Sequence, residues 1–597
     1  MQVGTVPHVV ARPDLAAKAK EARRPNVILI VADDQGFGDV GFNGNKAIRT
    51  PVLDALSRRG VTLDQFHVSP VCAPSRASIL TGRASLRTGV WSVTRGGEAM
   101  RPSEVTMAEA FAANGYATAA FGKWHNGAHF PSDPVGQGFQ TFDGFVDGHL
   151  NYWNPALVRG ERRYVARGYL TDILADRAVR YVEQSGDKPY FLYVPLPAPH
   201  SPYEAKPNLL GRYKTAGLDD ATASIYALVE DFDHNVGRIL NAVRAKGQQD
   251  DTIVVYLSDN GPVYPDKKQR YNAGLTGSKG SVDEGGTRVP FVMCWPGHLA
   301  GGTRIATPAQ HIDIYPTLME LAGITPPPGP AIDGKSLVPM LTGRSAGGDW
   351  DTRYLFTHQL RNTRRPDEVA IQSSPGAVRQ GRWLATFTPD AGWALYDVIA
   401  DPSQALNASS KDPARLAAMK AAYLAWYADA SSGASAVQPV QLGLPGHEMT
   451  ELPANEASLY GSGIHYHGDW GWAHDWVDRW TDTSASMRWL VRVSRPGRYR
   501  VSVSYATAGG TTGPRMVASF ANASASAILP LAPPSTASWG RRTYPTDEVP
   551  ERRWARGELG YLDLPTATAW LSLHSVGLPA GQVGDVKAIR LIREPDR

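Results

Sequence analysis

Two short apolar runs, each closed by acidic or amide residues, constrain this chain more than any other feature. Residues 26 to 34 read Asn-Val-Ile-Leu-Ile-Val-Ala-Asp-Asp, and residues 252 to 261 read Thr-Ile-Val-Val-Tyr-Leu-Ser-Asp-Asn-Gly. Short continuous runs rich in β-branched residues read as strands buried on both faces. Both runs stop where ligands sit in open α/β sheets, beyond the carboxyl ends of the strands. Asp33, Asp34, Asp259 and the amide oxygen of Asn260 are hard ligands suited to Ca²⁺ or Mg²⁺, and no Cys/His zinc spacing competes with them. Taken singly, either pair is as well explained by a turn or a helix N-cap, since Asp and Asn favour both.

From Asn26 to about Ile324, such runs alternate with helical stretches. Helices are predicted over Ser103–Ala113, with Ser103 as N-cap, over Leu170–Glu183 and over Ala221–Ala245, from apolar positions three and four apart. Alternation of this kind implies a largely parallel sheet covered on both faces. Other residues suited to chemistry sit where strand-like segments end. Tyr116–Phe121 runs into Gly122-Lys123-Trp124-His125, and the apolar run from Phe191 ends at His200, two residues before Pro202. Lys279 lies in Gly277-Ser-Lys-Gly280. Alone, each has an ordinary explanation: a histidine after a strand is usually a structural hydrogen-bonder, and a lysine is usually solvated.

Residues 72 to 83 read Cys-Ala-Pro-Ser-Arg-Ala-Ser-Ile-Leu-Thr-Gly-Arg. This dodecamer resembles the signature of the type I sulfatases, a family within the alkaline-phosphatase superfamily. The order along the chain matches as well: Asp-Asp, Cys-x-Pro-Ser-Arg, Lys-x-His, His, Asp-Asn, Lys. The resemblance covers roughly residues 25 to 405, including Gly285-Gly-Thr-Arg-Val-Pro-Phe and Trp295-Pro-Gly, which look structural. It implies that Cys72 is oxidised to formylglycine by a formylglycine-generating or anaerobic sulfatase-maturating enzyme, with Pro74, Ser75 and Arg76 as its recognition core. The aldehyde hydrate then serves as nucleophile. Covalent catalysis of this kind divides one displacement into two easier steps, and the second hydroxyl lets sulfate leave without water attacking sulfur.

The resemblance further implies that Cys72, Arg76, Lys123, His125, His200 and Lys279 form the catalytic set. Lys123 and His125 would contact the formylglycine, with His125 accepting the second hydroxyl's proton. His200 and Lys279 would protonate or stabilise the departing alkoxide. Histidine suits the transfer because it titrates near neutrality, and lysine suits sulfate charge in a preorganised site. Asp33, Asp34, Asp259 and Asn260, with the oxygen of residue 72, would hold one divalent cation, Ca²⁺ first and Mg²⁺ second. The expected activity is hydrolysis of a sulfate ester on a sulfated carbohydrate. Alternatives are a phosphonate or phosphate ester hydrolase with the same nucleophile, and a non-catalytic glycan-binding protein. Residues 126 to 163, with His129, His149, Tyr152, Trp153 and Arg159, are either a substrate wall or a packed excursion.

At 597 residues, two or three domains are expected. A formal charge of +4 is small for this length and argues against a nucleic-acid partner. With Cys72 committed to chemistry and Cys294 the only other cysteine, structural disulfides are not expected, and Cys294 reads as a strand core residue. No run approaches the roughly 20 apolar residues of a membrane span. Met1–Arg24 lacks the apolar core of a signal peptide, which leaves either a cytoplasmic protein or an exported one whose signal has been removed.

The catalytic α/β region is expected over residues 25–325. Pro326-Pro-Pro-Gly-Pro330 interrupts the pattern before a smaller α+β subdomain over 326–430, with strands near Tyr354–Thr357, Ala377–Val378, Trp383–Phe387 and Ala394–Asp397 and a helix from about Asp412 to Ala430. Ser431-Ser-Gly-Ala-Ser-Ala reads as a linker. Beyond it, alternating runs at Arg488–Val493, Gly497–Tyr505, Arg515–Phe520, Thr568–Ser575 and Val586–Ile592 predict an appended antiparallel β-sandwich over 450–597. Its central segment resembles carbohydrate-binding-like modules of glycan-active enzymes, or a purely structural sandwich. Trp470, Trp472, Trp476 and Trp480 would stack on sugars or fill the seam between domains.

Overall fold

The computed structural model describes residues 24–160, 162–264, 270–343, 349–359, 374–433, 438–537, 542–546 and 548–596. Asn26–Ala32 and Thr252–Ser258 are fully buried strands lying side by side and parallel in the middle of a ten-stranded sheet. On the other side Asn26–Ala32 pairs in parallel with Tyr190–Pro195, which pairs with Ala117–Ala120, also in parallel. Antiparallel pairing enters where Phe291–Cys294 meets Thr252–Ser258 and where Ala156–Arg159 meets Thr141–Gly144, and the sheet's central pairings are parallel, as predicted.

The period-2 alternation of the central strand feeds two separate cores. Ile28, Ile30 and Ala32 pack with Leu174, Ala178, Phe232 and Val236 of the helices Leu170–Gln184 and Asp220–Ala245 on one face. Val27, Leu29 and Val31 pack with Ala77, Leu80, Ile314 and Leu318 of the helices Cys72–Thr81 and Ile314–Ala322 on the other. Full burial of each such side chain contributes about 1.5–3 kcal/mol, so this layer fixes the strand ends as a rigid platform. Cys294 is buried in its strand, and neither cysteine is in a disulfide.

The helix predicted from Ser103 begins four residues later, at Met107. Thr106 accepts from the Glu109 backbone while the Glu109 carboxylate accepts from the Thr106 N–H, a reciprocal capping box that outcompetes Ser103. After the proline-rich interruption, a four-stranded antiparallel sheet forms over Tyr354–His358, Gly376–Gln380, Trp383–Thr388 and Gly392–Asp397. The helix Pro413–Ala430, capped by the Asp412 side chain, lays Met419 and Tyr423 against Val378, Ala385 and Leu395. The last unit is two facing six-stranded sheets sharing one core, in which Leu452, Trp489, Val501, Phe520 and Leu591 meet. Among the described residues, the strand pairings there are antiparallel except Val440–Leu442 with the strand Ser486–Val493. The sequence reading overlooked Ala523–Ile528, where small Ala and Ser residues leave little apolar contrast, and Ala555–Leu564, where Gly557 and Gly560 dilute the alternation. Among the described residues, no helix is long and apolar enough to cross a membrane. The Met1–Arg24 reading falls outside the described residues except at Arg24, and the linker reading falls outside them from residue 434.

Candidate active site

The register that sets Ala32 opposite Ser258 brings the next residues of both strands together. The Asp34 N–H donates to Asp259 Oδ1 at 3.2 Å, and Asn260 Nδ2 donates to Asp34 Oδ1 at 2.8 Å. Asp33, Asp259 and Asn260 are 0% exposed, which places two carboxylates and an amide in a dry pocket at the strand ends. Asp34 adopts a left-handed φ of 68°, uncommon for a non-glycine residue and tolerated best by Asp and Asn.

Cys72 is the first residue of a ten-residue helix that is buried along its whole length. One turn on, Arg76 lies on the same face. Its Nε and Nη2 both donate to Asp259 Oδ2, at 3.0 and 2.8 Å, and Nη1 donates to the Lys123 carbonyl at 2.9 Å. Arg76 is therefore a clamp joining three elements of the site, with its charge committed to Asp259. Burial and Asp33 push the Asp259 carboxyl up to about 6 despite Arg76 and Lys123. Burial also pushes the Cys72 thiol up, so an unmodified thiol here stays protonated.

Lys123 and His125 follow a turn that only glycine can make. Gly122 has φ 147°, and a Cβ on it would fall 2.1 Å from the Pro195 carbonyl oxygen. Lys123 Nζ meets Asp33 Oδ2 at 2.7 Å. His125 Nε2 lies 2.9 Å from the Val93 carbonyl oxygen, which can only accept, so Nε2 carries the proton. Nδ1 is left as a buried acceptor without a hydrogen-bond partner among the described residues. Burial, reinforced by Lys123, holds His125 well below the usual histidine value. Across the pocket, Lys279 Nζ lies 2.7 Å from Asp34 Oδ1, and His200 Nε2 lies 3.7 Å from Asp34 Oδ2. His200 Nδ1 donates to the Ser201 carbonyl at 2.6 Å, leaving Nε2 on the Asp34 side. Burial, with Lys279 and Lys123, pushes His200 down to about 4 against Asp34 and Glu548.

All ten residues predicted for the site thus converge. Their ligand atoms form two overlapping groups, Asp33–Asp34–His200 and Asp33–Cys72–Asp259, each within 4.8 Å. Asp33 Oδ1 and Asn260 Oδ1 are buried oxygens without hydrogen-bond partners among the described residues, a donor set that fits a hard divalent cation. Asp34, Cys72, His125, His200 and Lys279 line one cavity of about 490 Å³. Arg76, Lys123 and Lys279 balance the charge of Asp33, Asp34 and Asp259, so a divalent cation and an anionic substrate would enter a site that is otherwise neutral.

Of the five residues named as a substrate wall, His149 alone lines this cavity. Tyr152 is core and donates to the Pro197 and His200 carbonyls, while Trp153 packs edge-on against Tyr169. Arg159 pairs with Asp143, and His129 pairs with Glu456 at 2.7 Å. Trp476 and Trp480 are buried in or beside the sandwich core, whereas Trp470 and Trp472 are 55% and 37% exposed. Trp472, read from the sequence as stacking on sugars or filling the seam, also lines the cavity, as do Tyr544 and Glu548, which sequence reasoning missed. Nothing local marks them, because they come from loops more than 270 residues beyond His200.

A family model described as Sulfatase matches residues 25–324, and one described as N-sulphoglucosamine sulphohydrolase, C-terminal, matches residues 278–421. Arylsulfatase A of Homo sapiens is 33% identical over 446 residues, covering 66% of this chain and 80% of that protein. Steryl-sulfatase of Mus musculus is 31% identical over 437 residues, covering 58% and 69%. Among solved structures, Ps i-CgsB in complex with k-i-k-neocarrahexaose superposes with a TM-score of 0.63 at 28% identity, covering 69% of this chain and 94% of that one. The β-sandwich beyond residue 438 lies outside both family-model matches.

Proposed function

This chain belongs to the sulfatase family and is a sulfuric ester hydrolase, and from that premise we propose that it cleaves a sulfate ester of a carbohydrate with residue 72, converted to formylglycine, as nucleophile and one hard divalent cation as cofactor. The observation that carries this reading is the convergence of Asp34, Cys72, His125, His200 and Lys279 around one cavity, with Asp33 and Asp259 beside Cys72 and Lys123 paired to Asp33. A carbohydrate substrate is also supported by the fold neighbour whose structure holds k-i-k-neocarrahexaose. Release of inorganic sulfate from defined sulfated saccharides, beside phosphate and phosphonate esters of one phenol, tests it. Faster phosphate or phosphonate cleavage would replace it.

As a formylglycine hydrate, residue 72 would supply one hydroxyl to attack sulfur and a second whose deprotonation would expel sulfate. Asp33, Asp34, Asp259 and Asn260 would hold a hard divalent cation, Ca²⁺ or else Mg²⁺, which would supply electrophilic assistance. The chain's own residues do the rest. Arg76 fixes Asp259. Lys123 and Lys279 hold charge on the sulfate oxygens in a dry site, where preorganised cations count most. His125, with Nδ1 free to accept, takes the proton of the second hydroxyl. Lys279 lies on the leaving-oxygen side as a standing cation, and His200 becomes a proton donor there once the bound anionic sulfate ester draws a proton onto Nε2.

Two expected results follow. His200→Ala damages hydrolysis of a sugar or alkyl sulfate by about 10²-fold more than that of nitrophenyl sulfate, because nitrophenolate leaves without a proton. Equal losses on both, with chemistry limiting, would remove His200 as the acid. Residues 72 to 81 are all buried, so a maturating enzyme reaches Cys-x-Pro-Ser-Arg only before the chain folds. Protein folded without that enzyme therefore stays inactive when the enzyme is added later, whereas unfolding and refolding in its presence restores activity. Activation of the folded protein at the same rate would contradict this.

A further inference from the structure

The cavity over Cys72 is not enclosed by the sulfatase-matched part of the chain alone. Two groups of residues of the sandwich region, Trp472 and Ala473 in one and Tyr544, Pro545, Thr546 and Glu548 in the other, form its far side. Both are fastened to the catalytic part next to site residues. His474 Nε2 donates to the His149 carbonyl at 2.9 Å, and the Thr94 hydroxyl donates to the Gly471 carbonyl. A Cβ on Gly148 would lie 3.0 Å from His125 Nε2 and 3.8 Å from Ala473 Cβ, so the tryptophan loop sits within van der Waals reach of the His125 surroundings. On the other side, the Thr543 N–H donates to the Tyr203 carbonyl at 2.6 Å. The His149 Nε2–H donates to the Val549 carbonyl at 3.0 Å. The Ser201 hydroxyl, one residue after His200, donates to Glu548.

The chemistry of this far side differs from that of the sulfate end. Trp472 keeps 37% of its surface exposed beside the cavity, and the Tyr544 ring lies 6.4 Å from that of Tyr203. Apart from Asp34 and Lys279, which are paired to each other, Glu548 is the one carboxylate or basic side chain other than histidine among the described lining residues. Lys279 at one end therefore receives the sulfate, while the alcohol half of the substrate meets aromatic faces and a carboxylate. Aromatic faces bury the apolar side of a ring. A carboxylate accepts hydrogen bonds from hydroxyls and repels a second anion.

Resting on the sulfatase reading above, we propose that the β-sandwich is part of the active site: Trp472 and Tyr544 wall the space for the leaving alcohol, and Glu548 selects a ring that presents hydroxyl donors and rejects one with a second sulfate or a carboxylate beside the scissile ester. The sandwich then acts in specificity at the reacting end of the substrate, and its exposed tryptophans elsewhere are not what selects it.

The test uses the full-length, matured protein and three substrates: a monosulfated disaccharide, the same disaccharide with a second sulfate on that ring, and nitrophenyl sulfate. The parent prefers the monosulfated form. Glu548→Gln lowers that preference by at least about tenfold, since one unfavourable charge pair near a dry site is worth more than a factor of ten. Trp472→Ala and Tyr544→Ala each lower the ratio of kcat/KM on the monosulfated disaccharide to that on nitrophenyl sulfate by about tenfold, through KM, as expected for lost ring contact. Trp570→Ala, which removes a 42% exposed ring elsewhere on the sandwich, leaves both ratios where they were. Sulfate release with ratios unmoved by all three pocket variants, or moved as far by Trp570→Ala, overturns the proposal alone. No sulfate release from any substrate by the parent overturns the carbohydrate-sulfate reading and this proposal with it.

Discussion

Cys72→Ala abolishes turnover, lowering kcat/KM on any sulfate ester by at least about 10⁴-fold, the scale seen when a covalent nucleophile is removed. Residue 72 is 3% exposed and begins a fully buried helix, so the loss of one sulfur atom costs roughly 1 kcal/mol of stability and leaves the fold intact. Sulfate release followed by ion chromatography, with thermal unfolding run in parallel, separates the two effects. Cys72→Ser is more informative. Serine offers one hydroxyl where the mechanism uses two, so the variant stalls after at most one turnover with sulfate esterified to it, visible as added mass on the intact chain. Steady multiple turnover by Cys72→Ala would remove the nucleophile from the account.

Loss of the cation has the next largest effect. Asp259→Asn keeps the shape of the strand end but gives up a negative charge, and it is expected to lose bound cation and at least about 10³-fold in activity together. Alanine at the same position is a poorer test, because Arg76 donates to Asp259 Oδ2 at 3.0 and 2.8 Å and both groups are fully buried. Leaving that guanidinium unpaired costs about 3–5 kcal/mol. Elemental analysis of the parent should find one Ca²⁺ or Mg²⁺ per chain, removable by a chelator and restored with activity. Normal rates in protein verified to be metal-free would refute the assignment.

How far the sequence spoke depended on how local each signal was. The strand Asn26–Ala32 and its acidic end were legible because a doubly buried parallel strand is an unbroken apolar run and strand ends are where such sheets carry their ligands. Likewise His125 and Lys279 were found through short motifs whose glycines impose a turn, as Gly122 does against Pro195. What the sequence could not say was that Arg76 spends its charge on Asp259 rather than on substrate, since that pairing spans 183 residues. Whether residues 126 to 163 wall the substrate or pack as an excursion stayed open for the same reason. His129 and Arg159 each have a carboxylate partner distant in sequence or across a hairpin, Glu456 and Asp143, which no local pattern shows. Trp472 and Glu548 reach the cavity through the docking of the sandwich on the catalytic part, a relation no periodicity encodes. The Ser103 misreading was of another kind: Ser103 and Thr106 both head plausible caps, and Glu109 three residues after Thr106 decides between them.

The most direct measurement is tandem mass spectrometry of the peptide carrying residue 72, from preparations of graded specific activity treated with an aldehyde-reactive hydrazide. The account predicts that position 72 carries an aldehyde in active protein, that its converted fraction rises in proportion to specific activity, and that hydrazide capture abolishes turnover in step. A fully active preparation whose residue 72 is an unmodified cysteine would contradict it.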